Sequence, residues 1–471
     1  MKGINKLFSE EVKVVNFGLE SFSSTLSGAG VKNVQVDWKP PLDVAPDTFD
    51  VFEEHKAEIE AANAKALQKI ISAQPMLCGM GKALDLVPGM KKNLILHSGP
   101  PVTWDRMCGP TRGGIMAALM YEGLASTPEE AEKLAASGQI EYAPCHEHAC
   151  VGPMAGIVSA SMPVFIVKNE EHGNTAYCTL NEGLGKVLRY GAYSEEVIVR
   201  LKWMEEVLYP VLDKAIAKLG KIDLKNLIAQ ALHMGDEVHN RNRAGTSLFF
   251  RAVAPAIMRT ATDLEKAAKS LEFINGNDHF FLNLSMPASK ASLDAARNID
   301  KSSIVVCMAR NGTDFGVQLA GTGNEWFTGP SPIVDALFFP GFTKDDANPD
   351  IGDSAITETG GLGGFAIASA PAIVKFVGGQ AADALNYTLQ MYEITAGESK
   401  AYQIPQLDFR GTPTGIDVRK VAEKSIFPFI DTGVAHKKAG VGQVGAGVVS
   451  APSEPFKKAA DGLARKLASG K

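Results

Sequence analysis

The chain has 471 residues, of which 45% are hydrophobic and 21% are charged. This globular composition excludes wholesale disorder, and the length suits about three domains. The formal net charge of −6 argues against nucleic acid as the main partner, because a protein that binds nucleic acid needs a basic surface for the phosphate backbone. We expect no membrane contact, since no apolar run reaches the roughly 20 residues of a membrane span. The six cysteines follow no repeated spacing, which favours a reduced, cytoplasmic protein.

The first 125 residues alternate between apolar strands and amphipathic helices. Strands are predicted at residues 12–17, 31–38 and 93–96, and helices at residues 19–27 and 52–71. This alternation favours a parallel sheet covered by helices. We therefore expect a Rossmann-like α/β domain over residues 1–125, which later segments could complete.

A dinucleotide site is not predicted in this domain. Asp37 follows Gly18 at about the spacing of the dinucleotide fingerprint, but the turn after Gly18 lacks the second and third glycines. The backbone therefore could not approach a pyrophosphate in the usual way. We expect no cofactor.

The rest of the chain divides into three predicted segments. Residues 126–193 form an α/β segment with a helix at 128–137, which begins at Thr127 as its N-cap. Residues 194–272 form a helical subdomain, because apolar residues from Val197 to Ala215 recur every three or four positions. Residues 273–471 form a mixed α/β domain that ends in a helix at 455–467. The last 171 residues hold 23 of the 46 glycines, which indicates tight turns and close backbone contacts.

The predicted fold class is therefore α/β and multidomain. It combines a Rossmann-like N-terminal domain, a small helical domain and mixed α/β glycine-rich domains.

A first candidate anion site lies between residues 104 and 121. Gly113 and Gly114 precede the apolar run 115–121, and a helix that begins at glycines presents free backbone N–H groups at its positive end. Arg106 and Arg112 would add guanidinium donors for a phosphate or carboxylate. The alternative is a structural turn with two surface arginines.

The run CHEHAC at residues 145–150 concentrates ionisable side chains. On a strand, His146 and His148 would share one face and Glu147 would point away. One histidine could serve as a general acid–base or hydrogen-bonding group. Cys145 and Cys150 could join the histidines in a zinc site, although the spacing matches no common zinc module. The third alternative is a pair of structural histidines, and no metal ligand is assigned.

A polar stretch at residues 235–243 interrupts the helical region. Its asparagines carry both donor and acceptor groups, which suits recognition of an amide. We expect His239, Asn240 and Arg241 to bind substrate, with a solvated loop as the alternative. Asn275, in the polar stretch that precedes the next apolar run, is given the same role.

Two glycine-containing turns supply the remaining candidates. Asn311 and the glycine after it are a strong hairpin signal, and Arg310 beside them is either an anion ligand or a surface residue. Glu358 precedes a glycine-rich entry to a predicted apolar helix at 365–370, which could cradle an oxyanion or phosphate. The alternative is close packing that only glycine permits. The candidates from these two turns are Arg310, Asn311, Glu358, Gly361, Gly363 and Gly364.

Long blocks of this sequence resemble one protein family. The blocks are MCGPTRGGIMAALMYEGLA, CHEHACVGPMAGIVSASMPVFIV, MGDEVHNRNRAGT, NDHFFLNLSM, MARNGTDFGVQLAG and ETGGLGGFAIASAPAIV, with HKKAGVGQVGAGVV near the end. In their order and spacing they are similar to the YlbE/YahG-like (AllG-like) family, which is encoded beside FdrA-like proteins. The resemblance covers residues 14–452.

The resemblance implies a function and partners. Family members are similar to the middle subunit of a three-protein oxamate carbamoyltransferase of allantoin catabolism, which interconverts oxalurate plus phosphate with oxamate plus carbamoyl phosphate. The implied partners are an FdrA-like subunit, which resembles succinyl-CoA synthetase, and a third, small subunit. The resemblance also implies a Rossmann-like domain, a small helical domain and complex α/β domains, in a homo- or hetero-oligomer.

Carbamoyl transfer needs a phosphate cradle, donors that polarise a carbonyl and groups that orient the acceptor. We assign catalysis to His146, His148 and Arg106. We assign substrate binding to Arg112, Gly113, Gly114, His239, Asn240, Arg241, Asn275, Arg310, Asn311, Glu358, Gly361, Gly363 and Gly364. Two alternatives are a non-catalytic scaffold that activates the FdrA-like partner and a metal-dependent amidohydrolase built on residues 145, 146 and 148.

Overall fold

The computed structural model describes residues 11–17, 19–36, 39–373 and 380–470. Gly18 and Asp37, on which the dinucleotide alternative rests, lie outside the described residues, as does the end of the second predicted strand. The protein is mixed α/β and multidomain, as predicted, and its described strands form several small sheets. None of the helices in the described part of the chain combines the length and apolarity that crossing a membrane requires.

The described strands are β1 Lys13–Phe17, β2 Lys32–Val36, β3 Pro75–Lys82, β4 Leu94–His97, β5 Glu141–Pro144, β6 Cys150–Val151, β7 Pro163–Asn169, β8 Thr175–Thr179, β9 Ile222–Asp223, β10 Val305–Asn311, β11 Asp314–Leu319, β12 Phe327–Pro330, β13 Asp335–Phe338, β14 Ile351–Gly352, β15 Thr395–Ile404, β16 Arg410–Ile416, β17 Phe429–Ala435 and β18 Gln443–Ser450. The described α-helices are α1 Glu20–Gly28, α2 Thr48–Glu54, α3 Lys56–Ser72, α4 Ala83–Leu86, α5 Gly109–Tyr121, α6 Pro128–Ala136, α7 Glu195–Trp203, α8 Tyr209–Leu219, α9 Leu224–His233, α10 Arg243–Thr260, α11 Leu264–Gly276, α12 Leu282–Asp294, α13 Ile356–Thr359, α14 Ala381–Glu393, α15 Val418–Lys424 and α16 Ser453–Ala468.

The described strands of the first 125 residues do not form one parallel sheet. β1 and β2 pair in parallel with each other, and β4 pairs in parallel with β5. β3 instead lies in a sheet of order β6-β8-β7-β3-β9, antiparallel to both of its neighbours. Leu77 and Met80 of β3 are buried in the same hydrophobic core as the helices of residues 194–272. Burial of these two side chains explains why β3 joins this sheet. The expected parallel sheet is wrong, and the Rossmann-like detail is not confirmed.

The helical region has the predicted pattern. Val197, Leu201, Met204 and Leu208 are buried along one side of α7 and of the π-helical turn that follows it. α8 to α11 continue this region, and α12 packs against the sheet that contains β3. The N-cap of α6 is Thr127, as predicted, and its side chain accepts the backbone N–H of Glu130 at 3.2 Å.

The described residues of the last third of the chain contain three antiparallel sheets, of order β12-β11-β10-β14, β13-β18-β17 and β15-β16. α16 packs on β11 and β12, and its Phe456 is fully buried in the shared core. The sheets bring β10, β14 and β17 close together, which places charged side chains from three distant segments in one interior region.

Close backbone contact explains the glycines of α5. A Cβ built on Gly113 would overlap the carbonyl oxygen of Gly191, and one built on Gly114 would overlap the Ile157 side chain. The segment around Gly191 therefore lies directly against α5. Only glycine at position 113 permits this approach of two backbones.

We expect Gly113→Ala to lower the Tm by several degrees, because overpacking costs about 1–3 kcal/mol and the neighbouring carbonyl cannot rotate away. Gly276→Ala at the end of α11 is the control, since a Cβ there meets nothing within 4 Å. Thermal unfolding followed by circular dichroism compares the two variants. Equal losses of Tm would contradict the close-contact account.

Candidate functional site

Four ionisable side chains meet in the interior and form what we call the buried acidic cluster, which consists of Glu237, His239, Glu358 and Asp431. The Nδ1 atom of His239 lies 2.7 Å from Glu358 Oε1 and 3.3 Å from Asp431 Oδ1. Glu237 interacts with Asp431 on the other side. All three acids are fully buried, and the His239 side chain is 4% exposed. Burying several carboxyl groups is costly unless protons or a cation compensate them.

A tight turn after α9 presents Glu237 and His239. The Glu237 carboxylate accepts the backbone N–H groups of His239, at 2.7 Å, and of Arg241. Val238 between them has a φ of +58°, a left-handed conformation that β-branched residues rarely adopt. The side chain of Glu237 thus closes the turn that holds His239 in place.

Glycines allow the backbone to pass beside Glu358. Gly364 donates its N–H to Glu358 Oε1 at 3.0 Å. A Cβ on Gly363 would overlap the Glu358 carboxylate, and one on Gly364 would overlap the carbonyl of Phe429 in β17. These glycines therefore serve close packing around the cluster, the alternative stated for this turn.

The apolar helix predicted at 365–370 is not present. Two 3-10 turns, Gly363–Phe365 and Ile367–Ser369, replace it. Gly361 and Gly363 have φ values of +86° and +54°, and a left-handed residue interrupts a right-handed helix. The predicted helix start with free N–H groups is therefore wrong at this position.

Burial shifts the pKa values of the cluster. Burial, with a contribution from the charge of Arg310, lowers the pKa of His239 to about 3. Burial raises the pKa of Glu358 to about 7, although the Gly364 N–H opposes this shift. Burial and the neighbouring carboxylates raise the pKa values of Glu237 and Asp431 well above their usual range. The interior therefore favours a neutral imidazole and disfavours uncompensated carboxylates.

Arg310 lies in β10 and is fully buried, so it is not a surface residue. Its Nε and Nη2 atoms donate to the two carboxylate oxygens of Asp350 at 2.7 and 3.0 Å. Nη1 donates to the carbonyl of Gly352 at 2.7 Å, and Nη2 also donates to Thr432 Oγ1 at 3.1 Å. This ion pair connects β10, β14 and β17 next to the cluster.

A cavity of about 450 Å³ lies beside the turn that carries His239. We call it the 240–243 pocket, and its volume is in the range of small-molecule sites. Its lining residues are Leu184, Asn240, Arg241, Asn242, Arg243, Asp278, His279, Ala372, Ile373 and Gln443.

Several residues that line the pocket carry buried polar atoms without hydrogen-bond partners. Within the described residues, hydrogen-bond partners are missing for the buried atoms Asn240 Nδ2, Arg241 Nε, Asn242 Oδ1 and His279 Nδ1. Arg241 Nε lies 3.2 Å from Asp236 Oδ1, without hydrogen-bond geometry. An unpaired buried polar group costs about 1–3 kcal/mol. The pocket is therefore suited to a polar ligand that supplies the missing partners.

The predicted anion cradle at residues 106–114 has a different structure. α5 begins at Gly109, with Pro110 in its first turn, where proline is favoured. Gly113 and Gly114 consequently lie inside the helix and are buried, so the prediction that they open the helix is wrong.

The two arginines of this region make local contacts. Arg106 forms an ion pair with Asp314 at 2.9 Å. Arg112 donates to the carbonyl of Asp105 at 2.8 Å, and its guanidinium lies 5.3 Å from the centre of the Trp104 ring. Neither arginine lines the 240–243 pocket.

The CHEH block forms a 3-10 turn, Cys145–His148, and not a strand. Ala149 ends the turn in a left-handed conformation with φ +52°. The two histidines therefore do not share a face: His146 is buried, whereas His148 lies nearer the surface and its Nδ1 contacts the carbonyl of Pro88 at 2.6 Å.

His146 belongs to a second buried network. Its Nε2 lies 3.5 Å from Asp353 Oδ1, and its Nδ1 lies 3.4 Å from Nζ of the fully buried Lys290. Burial lowers the pKa of His146 well below its usual value and raises the pKa of Asp353 to about 7. Within the described chain, the group whose ligand atoms could hold a metal is His239, Glu358 and Asp431, and not residues 145, 146 and 148.

The remaining predicted residues lie outside the pocket. Asn275 is exposed near the end of α11. Asn311 donates to the carbonyl of Pro100 at 2.9 Å and accepts the N–H of Thr313, so it shapes its hairpin. A Cβ on Gly361 would overlap the carbonyl of Pro413.

Sequence reasoning assigned no role to three residues of the site: Glu237, His279 and Asp431. Asn242 was considered among the asparagines of the polar stretch but was not assigned to substrate binding. Glu237 and Asn242 lie in the predicted polar stretch, and His279 lies in the next one. Including all polar side chains of these stretches would have found them. Asp431 is the single charged residue of its strand, FIDTGVA, and a lone acid in a buried strand was the signal that could have found it.

The chain has clear relatives among known proteins. Residues 140–354 match the family model described as oxamate carbamoyltransferase subunit AllG. The chain is 46% identical over 458 residues to the uncharacterized protein YahG of Escherichia coli K12, which covers 96% of this chain and 97% of YahG. It is 44% identical over 415 residues to the oxamate carbamoyltransferase subunit AllG of the same organism, which covers 88% of this chain and 99% of AllG.

A solved structure is also similar. The crystal structure of a conserved protein of unknown function from Enterococcus faecalis V583 has 46% sequence identity and a TM-score of 0.86, over 90% of this chain and 100% of that chain. Fold and site together define a multidomain α/β protein with a polar pocket beside a buried acidic cluster. The chain belongs to the AllG-like family, as the resemblance predicted.

We expect Arg310→Met to lower the free energy of unfolding by about 3–5 kcal/mol, because it leaves the buried Asp350 carboxylate unpaired. The double variant Arg310→Met/Asp350→Asn should recover part of this loss, since no unpaired charge remains. Chemical denaturation of both variants measures the difference. A double variant no more stable than the single one would contradict the ion-pair account.

Proposed function

We propose that this chain is a subunit of a carbamoyltransferase that acts on a small ureido or oxamate-type acid in purine and allantoin catabolism. The proposed reaction converts oxalurate and phosphate into oxamate and carbamoyl phosphate, and it is reversible. A C–N bond breaks, a C–O bond to phosphate forms, and the leaving amide nitrogen gains a proton. The unpaired polar atoms of the 240–243 pocket carry this proposal, and the name of the AllG relative supports it.

The chemistry of the pocket matches an oxamate-type acid. Such a molecule carries a carboxylate and an amide. Arg241 and Arg243 supply guanidinium donors for the carboxylate. Asn240 Nδ2 and Asn242 Oδ1 supply a donor and an acceptor for the amide. In this proposal the substrate contacts Asn240, Arg241 and His279, and it does not contact His146 or His148.

We propose that the surface carrying Arg106 and Arg112 attracts the phosphate, which must then reach the ureido acid in the 240–243 pocket for the C–O bond to form. Arg112 Nε is buried without a hydrogen-bond partner in the described chain, and Arg106 is exposed beside it. A phosphate there would compete with Asp314 for the Arg106 guanidinium. We further propose that the chain works in the cytoplasm in a complex with an FdrA-like subunit and a third, small subunit.

Phosphorolysis by the co-purified complex tests the function. The complex is incubated with oxalurate or related ureido acids and phosphate, and carbamoyl phosphate is measured. We expect Asn240→Ala to raise the KM for the ureido acid about tenfold to a hundredfold, because an Nδ2 donor worth about 1–3 kcal/mol is lost.

Asn386→Ala, at an exposed position in α14, is the matched control and should leave the KM unchanged. Omission of this chain from the complex must abolish turnover. Normal kinetics in Asn240→Ala would refute the pocket assignment. Full turnover by the partners with a pocket-disrupted chain would instead support a scaffold role.

We expect Arg112→Ala to raise the KM for phosphate at saturating ureido acid, because it removes a guanidinium donor, while the KM for the acid stays constant. Steady-state kinetics with each substrate varied in turn separates the two effects. Arg251→Ala, at an exposed position in α10, controls for the loss of one positive charge. An unchanged phosphate KM in Arg112→Ala would remove the phosphate assignment.

A further inference from the structure

Three ligand atoms converge inside the buried acidic cluster. One ligand atom from each of His239, Glu358 and Asp431 lies within 4.8 Å of the other two. They belong to three different segments: the turn after α9, helix α13 and strand β17. Such convergence of an imidazole and two carboxylates is typical of a metal centre.

Asp431 is an independent sign that a ligand is required. It is fully buried, and neither of its carboxylate oxygens accepts a hydrogen bond from an N–H group or a hydroxyl of the described residues. Its polar neighbours include the carboxyl groups of Glu358 and Glu237. The Nδ1 atom of His239 lies nearer to Glu358 Oε1, at 2.7 Å, than to Asp431 Oδ1, at 3.3 Å. The Asp431 carboxylate therefore lacks an N–H or hydroxyl donor among the described residues.

The surrounding charges do not neutralise the cluster. Within the described chain, no lysine or arginine forms an ion pair with Glu237, Glu358 or Asp431. Arg310 is the nearby buried cation, and its guanidinium is held by Asp350. An enclosed group of three acids consequently lacks the positive charge that burial requires.

We propose that His239, Glu358 and Asp431 bind one divalent first-row transition-metal ion, with Glu237 as an adjacent acid. Imidazole nitrogen with carboxylate oxygen suits Zn²⁺ or Mn²⁺. Ligand atoms around a four-coordinate zinc ion stand about 3.4 Å apart, given metal–ligand bonds of about 2.1 Å. The separation of 3.3 Å is close to this distance, and the separation of 2.7 Å would have to widen by about 0.7 Å.

The ion would hold the pocket in shape. His239 directly precedes Asn240, so a metal bond to the imidazole fixes the segment that lines the 240–243 pocket. The cation also neutralises the cluster and ties three segments together. This inference does not rest on carbamoyl transfer, because it follows from the geometry and charge of the cluster alone.

Metal content of the purified full-length chain tests the inference, without any substrate. Elemental analysis is expected to find one Zn²⁺ or Mn²⁺ per chain, or the chelator-treated protein is expected to take up one added ion with a rise in Tm of several degrees. With Mn²⁺ bound, pulsed electron paramagnetic resonance should detect one coordinated imidazole nitrogen.

Asp431→Asn should weaken metal binding by about a hundredfold or more, because a charged ligand is lost. Asp335→Asn, at an exposed position in β13, and His148→Gln should keep the ion. If Asp431→Asn does not fold, the paramagnetic resonance signal of a coordinated imidazole nitrogen in the wild-type chain tests the metal site instead.

Absence of metal and of any Tm response to Zn²⁺ or Mn²⁺ would overturn the inference, as would loss of the ion in His148→Gln alone. A metal-bound chain without phosphorolysis would refute only the proposed function.

Discussion

The arrangement of the site depends on the hydrogen bonds that the buried carboxylate of Glu358 accepts. Its Oε1 lies 2.7 Å from His239 Nδ1 and accepts the backbone N–H groups of Gly364 at 3.0 Å and Asp431 at 3.3 Å. One buried acceptor thus connects the turn after α9, the glycine turn after α13 and strand β17. Because an unpaired buried donor costs about 1–3 kcal/mol, these three segments keep their positions relative to one another.

Local signals in the sequence predicted local structure well. Thr127 and the acids that follow it specified the start of α6, and the period of apolar residues specified α7 and α8. The polar stretch at 235–243 supplies most of the unpaired atoms of the pocket. Each of these features is encoded within a few residues, so sequence reasoning could reach it.

Features that depend on distant contacts could not be predicted. β3 joins a mixed sheet because its apolar side chains meet helices more than a hundred residues later, and no local pattern contains that information. Likewise, Asp431 becomes part of the cluster only when β17 passes beside Glu358. The glycine motifs show the same limit. Gly113 and Gly114 lie within a helix, whereas Gly363 and Gly364 lie outside one, since Pro110 favours the earlier helix start and left-handed backbone prevents the later helix.

The tight turn closed by Glu237 has a consequence for how this protein can diversify. The side chains of the buried acidic cluster share partners, and the effects of substituting residues with shared partners are not additive. A single change at His239 or Glu358 therefore disturbs the whole cluster, and neutral drift there requires paired replacements. Arg243 and Asp278, which line the pocket, are largely exposed, and the 3.7 Å ion pair between them contributes little to stability, so each tolerates substitution better than the buried acids. Changes of substrate preference should therefore arise by substitution of the exposed pocket residues, while the buried acids stay unchanged.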